Sequence, residues 1–341
     1  PLYEIIFCLQ DSGDPALGIV RRLMARYPDC SITLVIHGKN PGLNPKVNNL
    51  EGGCRKARFD RILISDSNVR VGPDYLRDLV GHLSHPSTGL VSNMILGTGG
   101  QSLGACLENL HLNSFVFSSI SFLDRFCNHQ VVVGKSMFFS RKVLQEVGGL
   151  ETLRDVLAED YVMGRKILET GRKIRISPYM IHNVNVRWGL GRFWKRHARW
   201  GQMRLSLAGP AYIWELIVNP VFLSLLPFLA GQVSRITIAA FLTTSLYKSL
   251  GDRLLGKRLD SDLRNRHYLL VPIKDMIVGL IWFYPFFSRT VRWRGNTFRI
   301  GPGSRLHPTG PLKTPRVPMF SAKGPLRRMS GLLRRHNPGT T

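Results

Sequence analysis

Acidic residues are scarce in this 341-residue chain, and its last part has none at all. The chain has 22 Asp and Glu against 47 Lys and Arg, which gives a formal net charge of +25. Residues 289–341 contain twelve Lys or Arg and no acid, and they are rich in Pro and Gly. We expect 289–341 to be a mostly disordered basic tail. The excess charge favours nucleic acid, anionic lipid or a phosphorylated substrate as partner.

Aromatic residues and paired cysteines are also lacking where base stacking or zinc binding would need them. Phe320 is the only Phe, Tyr or Trp after Phe298, so the tail has almost no stacking platform and we expect no nucleic-acid partner. The five cysteines show no CxxC spacing, and the chain has no HxxxH pair. This excludes a zinc site of local spacing and indicates reduced thiols in a cytosol-like compartment.

Long apolar runs are absent from the first 204 residues and common after them. Three runs follow, at 212–230, 236–250 and 268–287. Because a bilayer core needs about 20 helical residues, 205–288 is expected to be a membrane region. The third run carries Lys274 and Asp275, so we expect it to lie at the interface or re-enter. The sequence thus predicts three parts, a catalytic domain (1–204), a membrane region (205–288) and the tail (289–341).

The first part alternates apolar strand patterns with amphipathic helix patterns. Strands are predicted in "YEIIFCLQD" (3–11), "SITLVIHG" (31–38) and "RILISD" (61–66), with helices between them. This order is typical of a doubly wound α/β domain, whose ligands bind beyond the carboxyl ends of the strands. Asp11 and Asp66 each follow an apolar strand, so we expect both carboxylates on one rim.

Later segments repeat the pattern. "QVVVGKSMFFS" (130–140) is rich in strand formers, and "RKIRISP" (172–178) is predicted to be a strand that Pro178 ends. Between them, "EDYVMGRKILETG" (159–171) is predicted to be a helix that begins with two adjacent carboxylates, Glu159 and Asp160.

Four features have residue types suited to chemistry: Asp11, "DSN" (66–68), Glu159–Asp160 and "RHARW" (196–200). Each has an ordinary structural alternative, namely a turn, a helix cap, a helix-dipole contact or a membrane-flanking anchor. Together they supply a ligand for a hard cation, a base and a pair of arginines that can clamp a diphosphate. Transfer of a sugar from a nucleotide diphosphate needs these three parts.

In this order, the D, D, D, (Q/R)xxRW pattern resembles the family-2-like inverting glycosyltransferases. This version resembles the ceramide glucosyltransferase family and its bacterial relatives over roughly residues 1–250. The stretches that carry the resemblance are "CLQDSGDPA" (8–16), "GLNPKVNNL" (42–50), "ILISDSNVRVGPDYL" (62–76), "GKSMFFSRKVLQEVGGL" (134–150), "LAEDYVMG" (157–164) and "RHARW" (196–200).

The resemblance implies a GT-A-type nucleotide-sugar-binding domain followed by C-terminal transmembrane or interfacial helices. It implies that Asp11 lies at the nucleotide and that Asp66 binds the sugar diphosphate and a divalent cation, Mg²⁺ or Mn²⁺. Asn68 stands where a strict DxD motif has a second acid. Asp160 is implied to be the general base, and Glu159 is the weaker candidate for that role.

Further residues follow from the same resemblance. Lys46 and Asn48 match the "NPKxNN" stretch, as a phosphate contact and a donor-site hydrogen bonder. Arg196, Arg199 and Trp200 match (Q/R)xxRW and are implied to close over the diphosphate and the acceptor. The family normally has an N-terminal anchor and a first strand ahead of position 1, and we expect both to be missing here.

The resulting prediction is a membrane-bound enzyme that moves a hexose, expected to be glucose, from a UDP-sugar to the primary hydroxyl of a ceramide-like lipid. An inverting enzyme needs only a base opposite the leaving group, so with Asp160 in that role inversion to a β-linked product is expected. The alternatives are another lipid (a hopanoid or diacylglycerol), another UDP-sugar, or an inactive membrane scaffold. The catalytic domain is expected to face the cytosol, at a bacterial inner membrane or a Golgi-type membrane. His111 is a further candidate for an acceptor contact, its alternative being a partly buried histidine.

Overall fold

A computed structural model describes residues 2–38, 40–293 and 295–312. Its strands lie in three separate sheets. They are β1 (Ile5–Leu9), β2 (Ile32–Ile36), β3 (Arg61–Ser65), β4 (Val69–Arg70), β5 (Thr88–Thr98), β6 (Ser136–Ser140), β7 (Lys173–Val184), β8 (Thr290–Trp293), β9 (Asn296–Ile300) and β10 (Leu306–Pro308).

The helices up to residue 208 are interspersed with strands, and a second group of helices follows residue 208. They are α1 (Ala16–Arg26), α2 (Pro45–Lys56), α3 (Tyr75–Leu83), α4 (Leu103–His111), α5 (Phe117–Cys127), α6 (Arg141–Glu146), α7 (Glu159–Glu169), α8 (Leu190–Ala208), α9 (Trp214–Ile217), α10 (Pro220–Leu223), α11 (Leu226–Leu229), α12 (Arg235–Arg258) and α13 (Val271–Phe287).

The predicted order strand, helix, strand, helix, strand is present as β1, α1, β2, α2 and β3, and the α/β class is confirmed. β1 and β2 form a parallel pair of their own. β3 does not join them, because it pairs antiparallel with β6. Met137 and Phe139 of β6 enter the same core as Ile62 and Ile64 of β3, and this shared burial favours the pairing.

A five-stranded mixed sheet in the order β3-β6-β5-β7-β4 forms the centre of the domain. Its middle strand, β5, is buried along nearly its whole length and runs parallel to β7. The prediction that Pro178 ends β7 is wrong, since the strand continues to Val184. The ladder shifts register around Pro178, from the pair Asn93–Ser177 to the pair Ile95–Ile181. Such a bulge accommodates a residue without an N–H donor.

The hydrophobic runs after residue 208 form helices that differ in length and in hydropathy. Among the described residues, one helix, Asn265–Phe287, is long and apolar enough to cross a membrane. The helices 190–217 and 220–229 would add a second span if taken together, but they are bent by 68°. The run at 236–250 lies within α12, which does not meet the same limits.

The charges in the third run are buried and paired. Lys274 is fully buried, and its Nζ lies 2.8 Å from Asp275 Oδ1 and 3.7 Å from Asp252 Oδ2 of α12. Because burial of an unpaired charge is costly, this pairing explains how an apolar helix keeps two ionisable groups.

The basic tail begins with ordered structure, which corrects the expectation of disorder for its first part. β8, β9 and β10 form an antiparallel sheet, here named the C-terminal sheet (residues 290–308). Its apolar side packs against Leu157, in a cluster formed with Val291, Phe298, Ile300 and Leu306. Residues 313–341, the rest of the predicted tail, lie outside the described residues.

Candidate functional site

Asp160 lies at the start of α7, where the backbone of a neighbouring turn reaches its carboxylate. The Gly134 N–H donates to Asp160 Oδ2 (2.8 Å), and the Tyr161 N–H donates to Oδ1 (2.8 Å). A Cβ at position 134 would stand 2.5 Å from Oδ2, so only glycine permits this approach. Two donors therefore fix the orientation of the carboxylate.

Lys46 joins the two acidic regions of the site. Its Nζ lies 3.1 Å from Asp66 Oδ1 and 2.9 Å from Glu159 Oε1, and it donates to the Gly134 carbonyl at 2.9 Å. Burial disfavours its charged form, but the carboxylates of Glu159, Asp66 and Asp160 outweigh that effect, so the pKa of Lys46 is raised. Lys46 is therefore a permanent cation at the centre of the site.

Asn44, which the sequence analysis did not single out, places Lys46. Its side chain caps α2 by accepting from the N–H groups of Lys46 (2.9 Å) and Val47 (3.2 Å), as asparagine commonly does. Its amide nitrogen donates to Glu159 Oε2 at 3.3 Å. The loop before α2 and the start of α7 are thereby tied together.

Lys135 is the second cation at Asp66, and sequence reasoning missed it. Its Nζ lies 2.7 Å from Asp66 Oδ2 and 2.8 Å from Asn68 Oδ1. Burial lowers the pKa of Lys135, and Asp66 partly offsets this effect. The pKa of Asp66 is lowered, because Lys46 and Lys135 outweigh the cost of its burial. The position of Lys135 directly after Gly134, within a stretch of the resemblance, was the available signal.

The "RHARW" segment lies on α8, and a buried carboxylate that the sequence analysis also missed contacts it. Glu108 Oε1 lies 2.9 Å from Arg196 Nε, and Glu108 Oε2 lies 2.9 Å from His197 Nε2. The Arg196 guanidinium also lies over the Trp200 ring, 4.3 Å from its centroid. Within the described part of the chain, the Arg199 side chain makes no hydrogen bond or ion pair, so its guanidinium is available to bind an anion.

Three predicted residues stand apart from this cluster. Asp11 lies in the loop after β1, and its Oδ1 accepts from the nearby Gly13 N–H (2.8 Å). Asn48 is buried, and its amide group bonds both the N–H and the carbonyl of Gly42, so it holds the shape of that loop. His111 is buried and stacked on Phe115, which agrees with its structural alternative.

The site contains part of a ligand set for a divalent cation. Asp66 and Asn68 offer oxygen atoms, the ligand type that Mg²⁺ and Mn²⁺ prefer. No group of three His, Cys, Asp or Glu suited to a metal occurs among residues 2–38, 40–293 and 295–312. Both oxygens of Asp66 lie beside ammonium groups, so a cation would compete with Lys46 and Lys135. The residues fit a cation whose remaining ligands come from phosphate and water, the usual arrangement of Mg²⁺ at nucleotide sites.

The first prediction concerns the ionisation of Asp160. Burial and the nearby charge of Glu159 raise the pKa of Asp160 to about 6. A base must be ionised to act, so kcat/KM is expected to fall as the pH drops through about 6. In Glu159→Gln the repelling charge is gone, the pKa of Asp160 decreases, and the acidic limb moves to lower pH. A pH profile of both proteins checks this, and an upward or absent shift contradicts it.

The site holds cations that can receive an anionic leaving group beside a carboxylate that can take up a proton. Lys46, Lys135 and Arg199, whose charge interacts with that of Glu159, are the cations, and Asp160 is the carboxylate. On a domain of alternating strands and helices, this combination fits an enzyme that transfers a group from a nucleotide diphosphate, the class that includes the glycosyltransferases.

The relatives of the chain agree with that class. The model of glycosyl transferase family 21 matches residues 1–306, and the chain belongs to this family. Ceramide glucosyltransferase 3 and ceramide glucosyltransferase 1 of Caenorhabditis elegans are each 25% identical, over 90% and 89% of this chain. The chain spans 68% and 66% of their lengths, the second just under two thirds. The resemblance stated from the sequence is thus confirmed at the level of the family.

Two other matches are shorter or more distant. The ceramide glucosyltransferase of Komagataella phaffii is 39% identical over 75 residues, which is 21% of this chain and 15% of that protein. A crystal structure of GalNAc-T7 with UDP, GalNAc and Mn²⁺ aligns with a TM-score of 0.40 and 14% identity, over 55% of this chain and 38% of that chain. This structure is too distant to inform the chemistry of the present site.

Proposed function

We propose that the protein is a membrane-bound inverting glycosyltransferase that moves a hexose from a UDP-sugar to a ceramide-like lipid. Glucose is the first donor sugar to test, and the primary hydroxyl is the proposed acceptor atom. The observation that carries the proposal is the Lys46 ammonium, which joins the strand-end Asp66 to Glu159, the residue before Asp160. It brings a donor-binding carboxylate and a base into one charged cluster.

In this mechanism Asp160 takes the proton of the acceptor hydroxyl, while the Gly134 N–H holds the carboxylate in place. The oxygen attacks the anomeric carbon on the face opposite the diphosphate, so an α-linked donor gives a β-linked product. Lys46, Lys135, Arg196 and Arg199 are proposed to receive the negative charge of the leaving UDP. This role requires Arg196 to turn from Glu108 or to act beside it.

Asp66, with Asn68, is the proposed holder of a divalent cation, Mg²⁺ or Mn²⁺. When bound, the cation supplies positive charge against the departing diphosphate. Asp11 is proposed to contact the nucleotide, and Trp200 to pack beside the acceptor. Asn48 is proposed to make a hydrogen bond at the donor site, beside its bonds to Gly42.

The lipid acceptor and the membrane location rest on two observations. The relatives that cover most of the chain are named ceramide glucosyltransferases. The helix Asn265–Phe287 is apolar enough to enter a bilayer, with Leu269 and Phe287 mostly exposed. We propose an integral membrane protein whose catalytic domain faces the cytosol, in a bacterial inner membrane or a Golgi-type membrane.

The test is release of UDP by the protein in detergent micelles with Mg²⁺ or Mn²⁺, for several UDP-sugars, with and without ceramide. We expect ceramide-dependent release with one sugar, UDP-glucose first, and loss of release in Asp160→Asn. Release that needs a hopanoid or diacylglycerol instead would keep the glycosyltransferase and replace the acceptor. No release from folded protein with any sugar and any of these lipids would overturn the enzyme and favour a scaffold.

A further inference from the structure

The backbone that leads into α7 is held from two sides. On one side, the Asn44 N–H donates to the Arg154 carbonyl at 2.7 Å. On the other side, the Leu306 N–H of the C-terminal sheet donates to the Asp155 carbonyl at 2.8 Å. Residues 154–158 therefore lie between the loop before α2, the helix that carries Lys46, and a sheet that comes from the far end of the chain.

Ser304 makes the contacts nearest to the helix. Its carbonyl accepts from the Leu157 N–H (2.9 Å), and its Oγ accepts from the Ala158 N–H (3.1 Å). Ala158 is the residue before α7 and provides no side-chain cap of its own. A serine 146 positions away thus satisfies the two backbone donors directly before Glu159 and Asp160.

The backbone at Ser304 is unusual for a residue with a side chain. Its φ is +63°, in the left-handed region, and the residue is fully buried. Glycine adopts this conformation without steric cost, and Gly303 directly before it has a φ of +62°. A serine at such a position is explained by what its hydroxyl does, and here the hydroxyl bonds the start of α7.

Apolar packing keeps this contact in place. Ile300 and Leu306, on either side of Ser304, share a buried cluster with Leu157. The same sheet is tied to α8, because Gln202 Nε2 donates to the Thr290 carbonyl at 3.0 Å. The C-terminal sheet therefore contacts the segment directly before α7, the helix of the proposed base, and also α8, the helix of the arginines.

We propose that Ser304 is a positioning residue for Asp160, and that the C-terminal sheet belongs to the catalytic unit. The inference rests on the proposed function of Asp160 as the base. Ser304 acts through the backbone of residues 157 and 158, which sets where α7 begins and hence where the carboxylate stands relative to the acceptor hydroxyl.

The experiment compares Ser304→Gly and Ser304→Ala in the full chain, by kcat, by KM for the UDP-sugar and by the midpoint of thermal unfolding. Both variants lose the Oγ acceptor, but only glycine relieves the backbone. We expect kcat to fall about ten- to hundredfold in both, as for a small misplacement of a reacting group, with KM for the donor unchanged. The unfolding midpoint of Ser304→Gly should be above that of Ser304→Ala.

Thr309→Val is the matched control, because Thr309 follows the last strand of the sheet and its hydroxyl donates to the Thr297 carbonyl (3.0 Å), not to the segment before α7. It should keep wild-type kcat. Wild-type kcat in Ser304→Gly, with Asp160→Asn inactive, overturns the positioning role and leaves the proposed function standing. Turnover by Asp160→Asn instead overturns the proposed function. A loss of kcat in both Ser304 variants that disappears when the assay is run well below their unfolding midpoints also overturns the inference, since partial unfolding then explains it.

Discussion

Asp160→Asn is expected to reduce turnover by about 10²- to 10⁴-fold, the usual contribution of a positioned general base. The amide has nearly the shape of the carboxylate, but it cannot accept the proton of the acceptor hydroxyl. Its one oxygen can still accept from the Gly134 N–H, but the bond from the Tyr161 N–H is lost, so thermal unfolding of the variant is measured beside its activity. The measurement is kcat with UDP-sugar and lipid, alongside a binding assay for UDP.

Glu169→Gln is the control, since Glu169 is an exposed carboxylate at the other end of the same helix. It should turn over like the wild type. More than a tenth of wild-type turnover in folded Asp160→Asn would show that another group removes the proton. In that case Glu159, whose Oε1 lies 2.9 Å from Lys46 Nζ, would be the next residue to test.

Lys46→Met is expected to have the second largest effect, on both activity and stability. It leaves Asp66 and Glu159 without their shared cation, at a cost of about 2–3 kcal/mol in the free energy of unfolding. That cost is reduced because about a quarter of the Lys46 side chain is exposed. Loss of one cation at the proposed leaving group should lower kcat on the order of 10²-fold.

The same substitution should move the acidic limb of the pH profile upward, opposite to Glu159→Gln. Lys46 holds the pKa of Asp160 down against the effects of burial and Glu159, so its removal lets that pKa increase. Lys56→Met is the control, because Lys56 is an exposed lysine at the other end of α2. Denaturant unfolding and a pH profile of kcat/KM check both parts. An unshifted or lowered limb would mean that Lys46 does not act on Asp160.

The parts of the site that the sequence could predict are those with local signals. Asp66 follows an apolar strand, and Glu159–Asp160 begin a helix, so their positions depend on neighbours within a few residues. Lys135, Glu108 and Ser304 contact partners 69, 89 and 146 positions away. No periodicity or spacing reports such contacts, because they arise only when the sheet and the helices pack.

The parts of the fold that the sequence could predict also depend on local patterns, and the parts that it could not predict depend on distant contacts. The alternation of β1, α1, β2 and α2 follows from hydrophobic patterns within each element. The continuation of β7 past Pro178 depends on its register with β5, which is set by strands some 80 residues apart. The sequence did not predict the C-terminal sheet, because its Pro, Gly and basic residues are typical of disordered segments. The strands are ordered by packing on Leu157 rather than by their own strand propensity.

The attachment of the C-terminal sheet also limits how the chain can be threaded through a bilayer. The segment before the apolar helix is tied to the catalytic domain, where Asp262 Oδ2 accepts from the Gly99 N–H (2.6 Å), and the segment after it returns to Leu157 and Ala158. For the membrane location proposed above, we therefore expect both flanks of Asn265–Phe287 on one side of the bilayer. Helices of the described chain that enter the lipid are then expected to leave it on the side they came from, in an even number of crossings, zero included. A protease added to sealed vesicles should find the two ends of the described chain equally accessible.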